Sequence, residues 1–99
     1  QYHHVVENLT EAVRLQPDNP HFYYNRGIAY AKIGRYPYAI NDFNKAIHLK
    51  ENYADAYNIR AAVYLNTGNR KAGCRDARKA CDLGNCATLG KTIKERSCR

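Results

Sequence analysis

The chain is 99 residues long, 44% apolar and 25% charged, with a formal net charge of +7 at pH 7. That length and apolar share suit a single domain with its own core, and no run of about eighteen apolar residues is present to cross a bilayer. A chain without methionine, which a start codon would supply, is expected to be a piece of a longer protein.

The charge is unevenly spread. Residues 1–69 hold seven Lys/Arg against six Asp/Glu, whereas residues 70–99 hold nine against three, so the basic character belongs to the last third.

From the N-terminus, Tyr2, Val5, Val6, Leu9, Ala12 and Val13 fall three and four apart and predict a helix over Tyr2 to Leu15. Pro17-Asp18-Asn19-Pro20 reads as a stop and a new start, with Asp18 or Asn19 able to cap the next helix and Pro20 suited to its first turn. The helix expected from Pro20 to Ile33 carries two adjoining stripes. Tyr23, Gly27 and Tyr30 form a packing stripe, and beside it run His21, Tyr24, Asn25, Ile28 and Lys32. Gly34 is placed to end the helix through a left-handed turn. A helix from Tyr36 to Lys50 then packs Ala39, Phe43 and Ala46 inward, with Ile40 and Ile47 aimed at whatever follows.

The next stretch begins the same pattern again. At an offset of 34 residues Tyr23 meets Tyr57, Arg26 meets Arg60, Tyr30 meets Tyr64, Gly34 meets Gly68, Asp42 meets Asp76 and Ala46 meets Ala80. Carried backwards, the same offset sets Tyr36, Ile40, Phe43 and Ile47 over Tyr2, Val6, Leu9 and Val13. A period of ~34 residues is that of a helix-turn-helix unit that buries its apolar face on copies of itself. Tyr53 to Asn66 therefore repeats the first-helix role, Gly68 closes it, and Arg70 to Leu83 supplies a second helix with Gly73, Ala77 and Ala80 inside. After a Gly84-Asn85 turn, a last helix over Cys86 to Arg96 is apolar only at Cys86, Ala87, Leu89 and Ile93.

The pattern resembles the tetratricopeptide repeat, W-x2-L-G-x2-Y followed by A-x3-F, A and P. Its slots hold Tyr23, Arg26, Gly27, Tyr30, Ala39, Phe43, Ala46 and, in place of proline, Glu51; the following copy holds Tyr57, Arg60, Ala61, Tyr64, Gly73, Ala77 and Ala80. The resemblance runs from Tyr2 to about Asn85. It implies an all-α, right-handed superhelical stack of antiparallel helix pairs, a solenoid in which 1–16 is the second helix of a partial repeat, 20–53 and 54–85 are full repeats, and 86–99 is a C-terminal capping helix. The packing residues are then Tyr23, Gly27, Tyr30, Ala39, Phe43, Ala46, Tyr57, Tyr64 and Ala80.

In arrays of this family the first helix of each unit lines the concave wall. The resemblance thus implies a protein-interaction scaffold that holds a protein or peptide segment against His21, Tyr24, Asn25, Ile28, Lys32, Asp55, Asn58, Ala62 and Asn66. Two further classes stay open: homo-oligomerisation through an unpaired N-terminal helix exposing Tyr2, Val5 and Leu9, and an anionic partner on Arg70, Lys71, Arg75, Arg78, Lys79, Lys91, Lys94, Arg96 and Arg99. Nucleic acid is not the expected partner, because most of the nine tyrosines sit at packing slots; Tyr24, Tyr38 and Tyr53 alone are left to bind something. The lysine and arginine that co-chaperone relatives use to clamp a terminal carboxylate are missing from the matching positions, and Asp55 would repel such a group.

No residue set points to catalysis, a cofactor or a metal. His3, His4, His21 and His48 are scattered, and no nucleophile has a recognisable base. Cys74 and Cys81 occupy the slots of Ile40 and Ile47, facing the helix that holds Cys86 and Cys98. Two bridges, Cys81 to Cys86 and Cys74 to Cys98, are one reading. Reduced cysteines acting as small hydrophobes are another, while zinc lacks a Cys-x2-Cys or His-x3-His pair. Bridged cysteines imply an extracytoplasmic compartment and reduced ones a cytoplasmic one.

Overall fold

In the computed structural model, which describes residues 1–95, 97 and 98, the described residues form six helices and no strand. These are α1 (Tyr2–Leu15), α2 (Pro20–Lys32), α3 (Tyr36–Leu49), α4 (Ala54–Asn66), α5 (Arg70–Asp82) and α6 (Ala87–Lys94). They gather into two units, Gln1–Glu51 with α1 to α3 and Asn52–Arg99 with α4 to α6.

Local chemistry sets the helix ends. The Asn19 side chain accepts a hydrogen bond from the His21 amide at 3.0 Å, with Pro20 in the first turn of α2. At the other end of α2, Gly34 takes φ 77°, the Arg35 amide donates to the Tyr30 carbonyl at 2.9 Å and the Gly34 amide to Ala31 at 3.1 Å. This is the Schellman arrangement, which satisfies carbonyls the helix itself leaves open. It recurs at Gly68, where Asn69 donates to Tyr64, and at Gly84, where Asn85 donates to Ala80. The last helix stops at Lys94; its expected extension reaches Arg96, which lies outside the described residues.

Inside the first unit α2 packs between α1 and α3. Phe43 is fully buried and its ring lies against Gly27, where a Cβ would come within 2.6 Å of the ring. A side chain at that position would displace the ring, so the glycine is what lets the two helices close on Phe43. Ala39 and Ala46 are fully buried beside it. In the second unit, the position corresponding to Phe43 is Ala77, also fully buried, and the large group comes from the other helix. Leu65 of α4 projects over Gly73 of α5, where a Cβ would meet its Cγ at 2.6 Å.

Both units carry the same ionic lock between first and second helix. The Arg26 guanidinium donates two hydrogen bonds to Asp42, each at 2.8 Å, and Arg60 binds Asp76 at 2.6 and 2.8 Å. Tyrosine rings flank each guanidinium. Arg26 stands 5.8 Å from the Tyr23 ring centre and 5.9 Å from that of Tyr30, and Arg60 stands 5.3 Å from Tyr57 and 5.9 Å from Tyr64. Asp42 raises the Arg26 guanidinium above its ordinary range. Burial opposes the charge on Arg60, but Asp76, with help from the neighbouring tyrosines, outweighs it and the net shift is again upward. A paired, doubly hydrogen-bonded charge of this kind fixes helix register more than it adds stability, whereas removing one partner strands the other.

The final helix docks differently from its expected apolar pattern. Ile93 is 58% exposed, Cys86 and Ala87 are exposed, and Thr92 is the buried residue of α6. Polar contacts and sulfur hold it instead. Thr88 donates its amide to Asn58 Oδ1 at 2.9 Å and its hydroxyl to the Asn58 carbonyl at 3.2 Å, and Asn85 Nδ2 donates to Asp55 at 2.9 Å. Disulfides join Cys81 to Cys86 and Cys74 to Cys98. An eight-residue helix has too few internal bonds to persist alone, so these ties account for its presence.

Candidate functional site

The first helices of the two units each present a stripe of side chains beside their packing face. On α2 the stripe is His21, Tyr24, Asn25, Ile28 and Lys32. His21, Asn25 and Lys32 are exposed, while Tyr24 and Ile28 are half-buried. Tyr24 leans on the core, its ring 6.3 Å from that of Phe43 at 53°, so it is a braced rather than a free aromatic. An apolar centre with an exposed amide, imidazole and ammonium around it is a composition able to seat one side chain and bind the backbone on either side.

On α4 the stripe is Asp55, Asn58, Ala62 and Asn66, with Asp55 and Asn66 exposed and the other two half-buried. Part of its hydrogen-bonding capacity is already used within the unit. Asn58 Oδ1 accepts from Thr88, which leaves its Nδ2 as the group available to donate, and Asp55 accepts from Asn85. Between α4 and α6 lies a cavity of about 460 Å³ lined by Ala62, Leu65, Asn66, Thr88, Lys91 and Glu95. Thr88 and Glu95 are not among the residues expected from the sequence, and Lys91 is expected there only as part of the basic side. The signal was available: carrying the 34-residue offset once more from Ala54 reaches Thr88, which puts α6 in a first-helix slot.

Tyr53 is 6% exposed and belongs to the core, which corrects the expectation that it is left to bind a partner. Tyr38 is exposed and stacks on Tyr30 with ring centres 5.3 Å apart. The packing residues Tyr23, Gly27, Ala39, Phe43, Ala46 and Ala80 are buried, and Tyr30, Tyr57 and Tyr64 are half-buried around the two arginines. On the basic side, Arg70, Lys71, Arg75, Arg78, Lys79, Lys91 and Lys94 are all exposed; Arg96 and Arg99 lie outside the described residues. Among the described residues no group of three or more His, Cys, Asp or Glu could hold a metal ion, and no helix is long and apolar enough to cross a membrane.

Comparison with known proteins finds two family models on this chain, one described as tetratricopeptide repeat over residues 21–53 and one as TPR repeat over residues 6–34. Human serine/threonine-protein phosphatase 5 is 35% identical over 75 residues, covering 76% of this chain and 15% of the phosphatase. Mouse DnaJ homolog subfamily C member 7 is 26% identical over 82 residues, covering 83% of this chain and 17% of the relative. The chain thus spans less than one fifth of these curated relatives. Among solved structures, the Arabidopsis OM64 TPR domain superposes over 98% of this chain and 80% of its own with a TM-score of 0.89 at 26% identity. The TPR2B domain of yeast Sti1, solved as its pHsp70 complex, covers 91% of this chain and 72% of its own with a TM-score of 0.78 at 28% identity.

Proposed function

We propose, on the premise that this chain is a tetratricopeptide-repeat protein with an all-α solenoid-type fold, that it binds a segment of a partner protein through its first helices. The observation that carries this reading is the likeness, over 91% of the chain, to a repeat domain solved in complex with its ligand. On α2, Tyr24 and Ile28 form the apolar seat, and His21, Asn25 and Lys32 bind around it. On α4, Asn58 Nδ2 donates to a backbone carbonyl, with Ala62 and Asn66 further along the same helix. Asp55 gives this face an acidic group, so the favoured ligand is an internal neutral or basic segment rather than an acidic chain end. The two disulfides support a place for the protein in an oxidising compartment.

Selection from a displayed random-peptide library, followed by titration of the enriched peptides, tests the reading. The double variant Tyr24→Ala/Asn58→Ala should weaken binding about tenfold or more, the size expected when a central contact is truncated. Unchanged affinity in a variant of undiminished helicity would show the seat to be elsewhere.

A second reading, self-association through α1, draws on the exposure of Tyr2 (40%), Val5 (37%) and Leu15 (64%) on a helix with no buried residue, whereas Leu9, expected to be exposed beside them, is half-buried. Light scattering that stays at the monomer mass up to high concentration removes it.

A further inference from the structure

The two disulfides differ in what surrounds them. Cys74 is 6% and Cys98 3% exposed, whereas Cys86 is exposed and Cys81 half-buried. Thiol-disulfide exchange needs an attacking thiolate to reach one sulfur of the pair, so access ranks the two bridges before any other property does. Their mechanical roles differ as well. Cys74–Cys98 closes a span of 24 residues that contains the whole of α6, while Cys81–Cys86 spans 5 and pins only the turn between α5 and α6. That turn has fastenings of its own. The Asn85 amide donates to Ala80, the Asn85 side chain bonds both Asp55 and the Ala87 amide, and Thr88 is bound to Asn58.

We infer that Cys81–Cys86 is a thiol-exchange site, opened by a dithiol reductant while Cys74–Cys98 and the docking of α6 stay intact. In the first step a reductant thiolate attacks Cys86 Sγ, a mixed disulfide forms there, and Cys81 leaves as a thiolate that takes a proton from water. In the second step the reductant's other thiolate attacks its own sulfur in the mixed disulfide and expels Cys86 as a thiolate. The reductant ends as a cyclic disulfide, two electrons have passed to the protein, and both cysteines are free. Cys86 stands at the N-cap of α6, where the partial positive charge of the helix end favours its thiolate form. The opened site is therefore primed to attack a disulfide in turn and return to the bridged state. Nothing in this depends on what the first helices bind.

The oxidised protein is treated with graded dithiothreitol at neutral pH, quenched with N-ethylmaleimide at intervals, and each cysteine is scored by peptide mass spectrometry. Cys81 and Cys86 should label at least tenfold faster than Cys74 and Cys98, giving a species with one bridge open. In that species the Thr88 amide should keep its protection from hydrogen exchange to within a few-fold. Equal rates, or earlier labelling of Cys74 and Cys98, would overturn the inference, as would loss of Thr88 protection on opening the outer bridge. Two further arms separate the fold from the ring size. The rate difference should vanish in guanidinium; a difference that persists there comes from the loops alone and sinks the proposal. In the Cys81→Ser/Cys86→Ser variant the remaining bridge should be reduced at its original slow rate, and a tenfold acceleration would mean that the two bridges act as one.

Discussion

The two units bury the same hairpin by opposite means. In the first, the second helix supplies the large group, Phe43, and the first helix supplies the hollow at Gly27. In the second, the first helix supplies Leu65 and the second helix the hollow at Gly73. What is common to both is the polar part, Arg26 with Asp42 and Arg60 with Asp76, each guanidinium between tyrosines. The register pair is kept in both copies, while the apolar filling changes sides. The second unit, with no buried Phe of its own, also carries both disulfides.

Substitutions break this comparison unit by unit. Phe43→Ala should have the largest effect, ~3–5 kcal/mol in urea unfolding followed by circular dichroism, because a fully buried ring leaves a cavity that the surrounding alanines cannot fill. Asp76→Ala and Asp42→Ala each strand a guanidinium; a loss of about 3 kcal/mol is expected for Asp76, whose exposure is 2%, and somewhat less for Asp42 at 5%. Equal and negligible losses would show that the pairs set nothing. Leu65→Ala is expected to cost roughly 2 kcal/mol, the low end of the range for leucine, since Leu65 is only half-buried. Gly73→Ala, which drives a methyl group into Leu65, should cost about 1–2 kcal/mol by overpacking. The sharpest version combines these last two. If Leu65 and Gly73 are knob and hole, the double variant costs at least ~0.5 kcal/mol less than the sum of the singles, and strict additivity would dissolve the pairing.

Much of this architecture was legible in the chain. The 34-residue offset located every helix pair, and Gly34, Gly68 and Gly84 marked the three left-handed turns. The Arg–Asp locks were in view as well, since Arg26 to Asp42 and Arg60 to Asp76 share a spacing of 16, but a repeated pair of charges does not announce that it faces itself. Other features lay outside what periodicity encodes. Alignment sets Ala77 under Phe43 and suggests a thinner second contact; it cannot show that Leu65 lies over Gly73, because Leu65 aligns with Ala31 and lies outside the repeat's signature slots. The docking of α6 rests on chemistry that apolar spacing does not carry. Apolar spacing points to Cys86, Ala87, Leu89 and Ile93, of which only Leu89 is even half-buried, and a side chain bonding a backbone amide, as Asn58 does to Thr88, leaves no periodic trace. Four cysteines admit three pairings, and only their placement on α5, at the N-cap of α6 and in the segment after α6 selects one.

The exchange of sides between Phe43 and Leu65 limits how such a protein can be copied or idealised. A designer who blended the two hairpins into one consensus, introducing Ala77→Phe, would aim a ring at Ala61, where the first unit has the hollow of Gly27. The reverse change, Phe43→Ala, would leave the hollow at Gly27 empty. Phe43 with Gly27, and Leu65 with Gly73, are matched knob and hollow, and a blend that separates a knob from its hollow loses the fit of that hairpin.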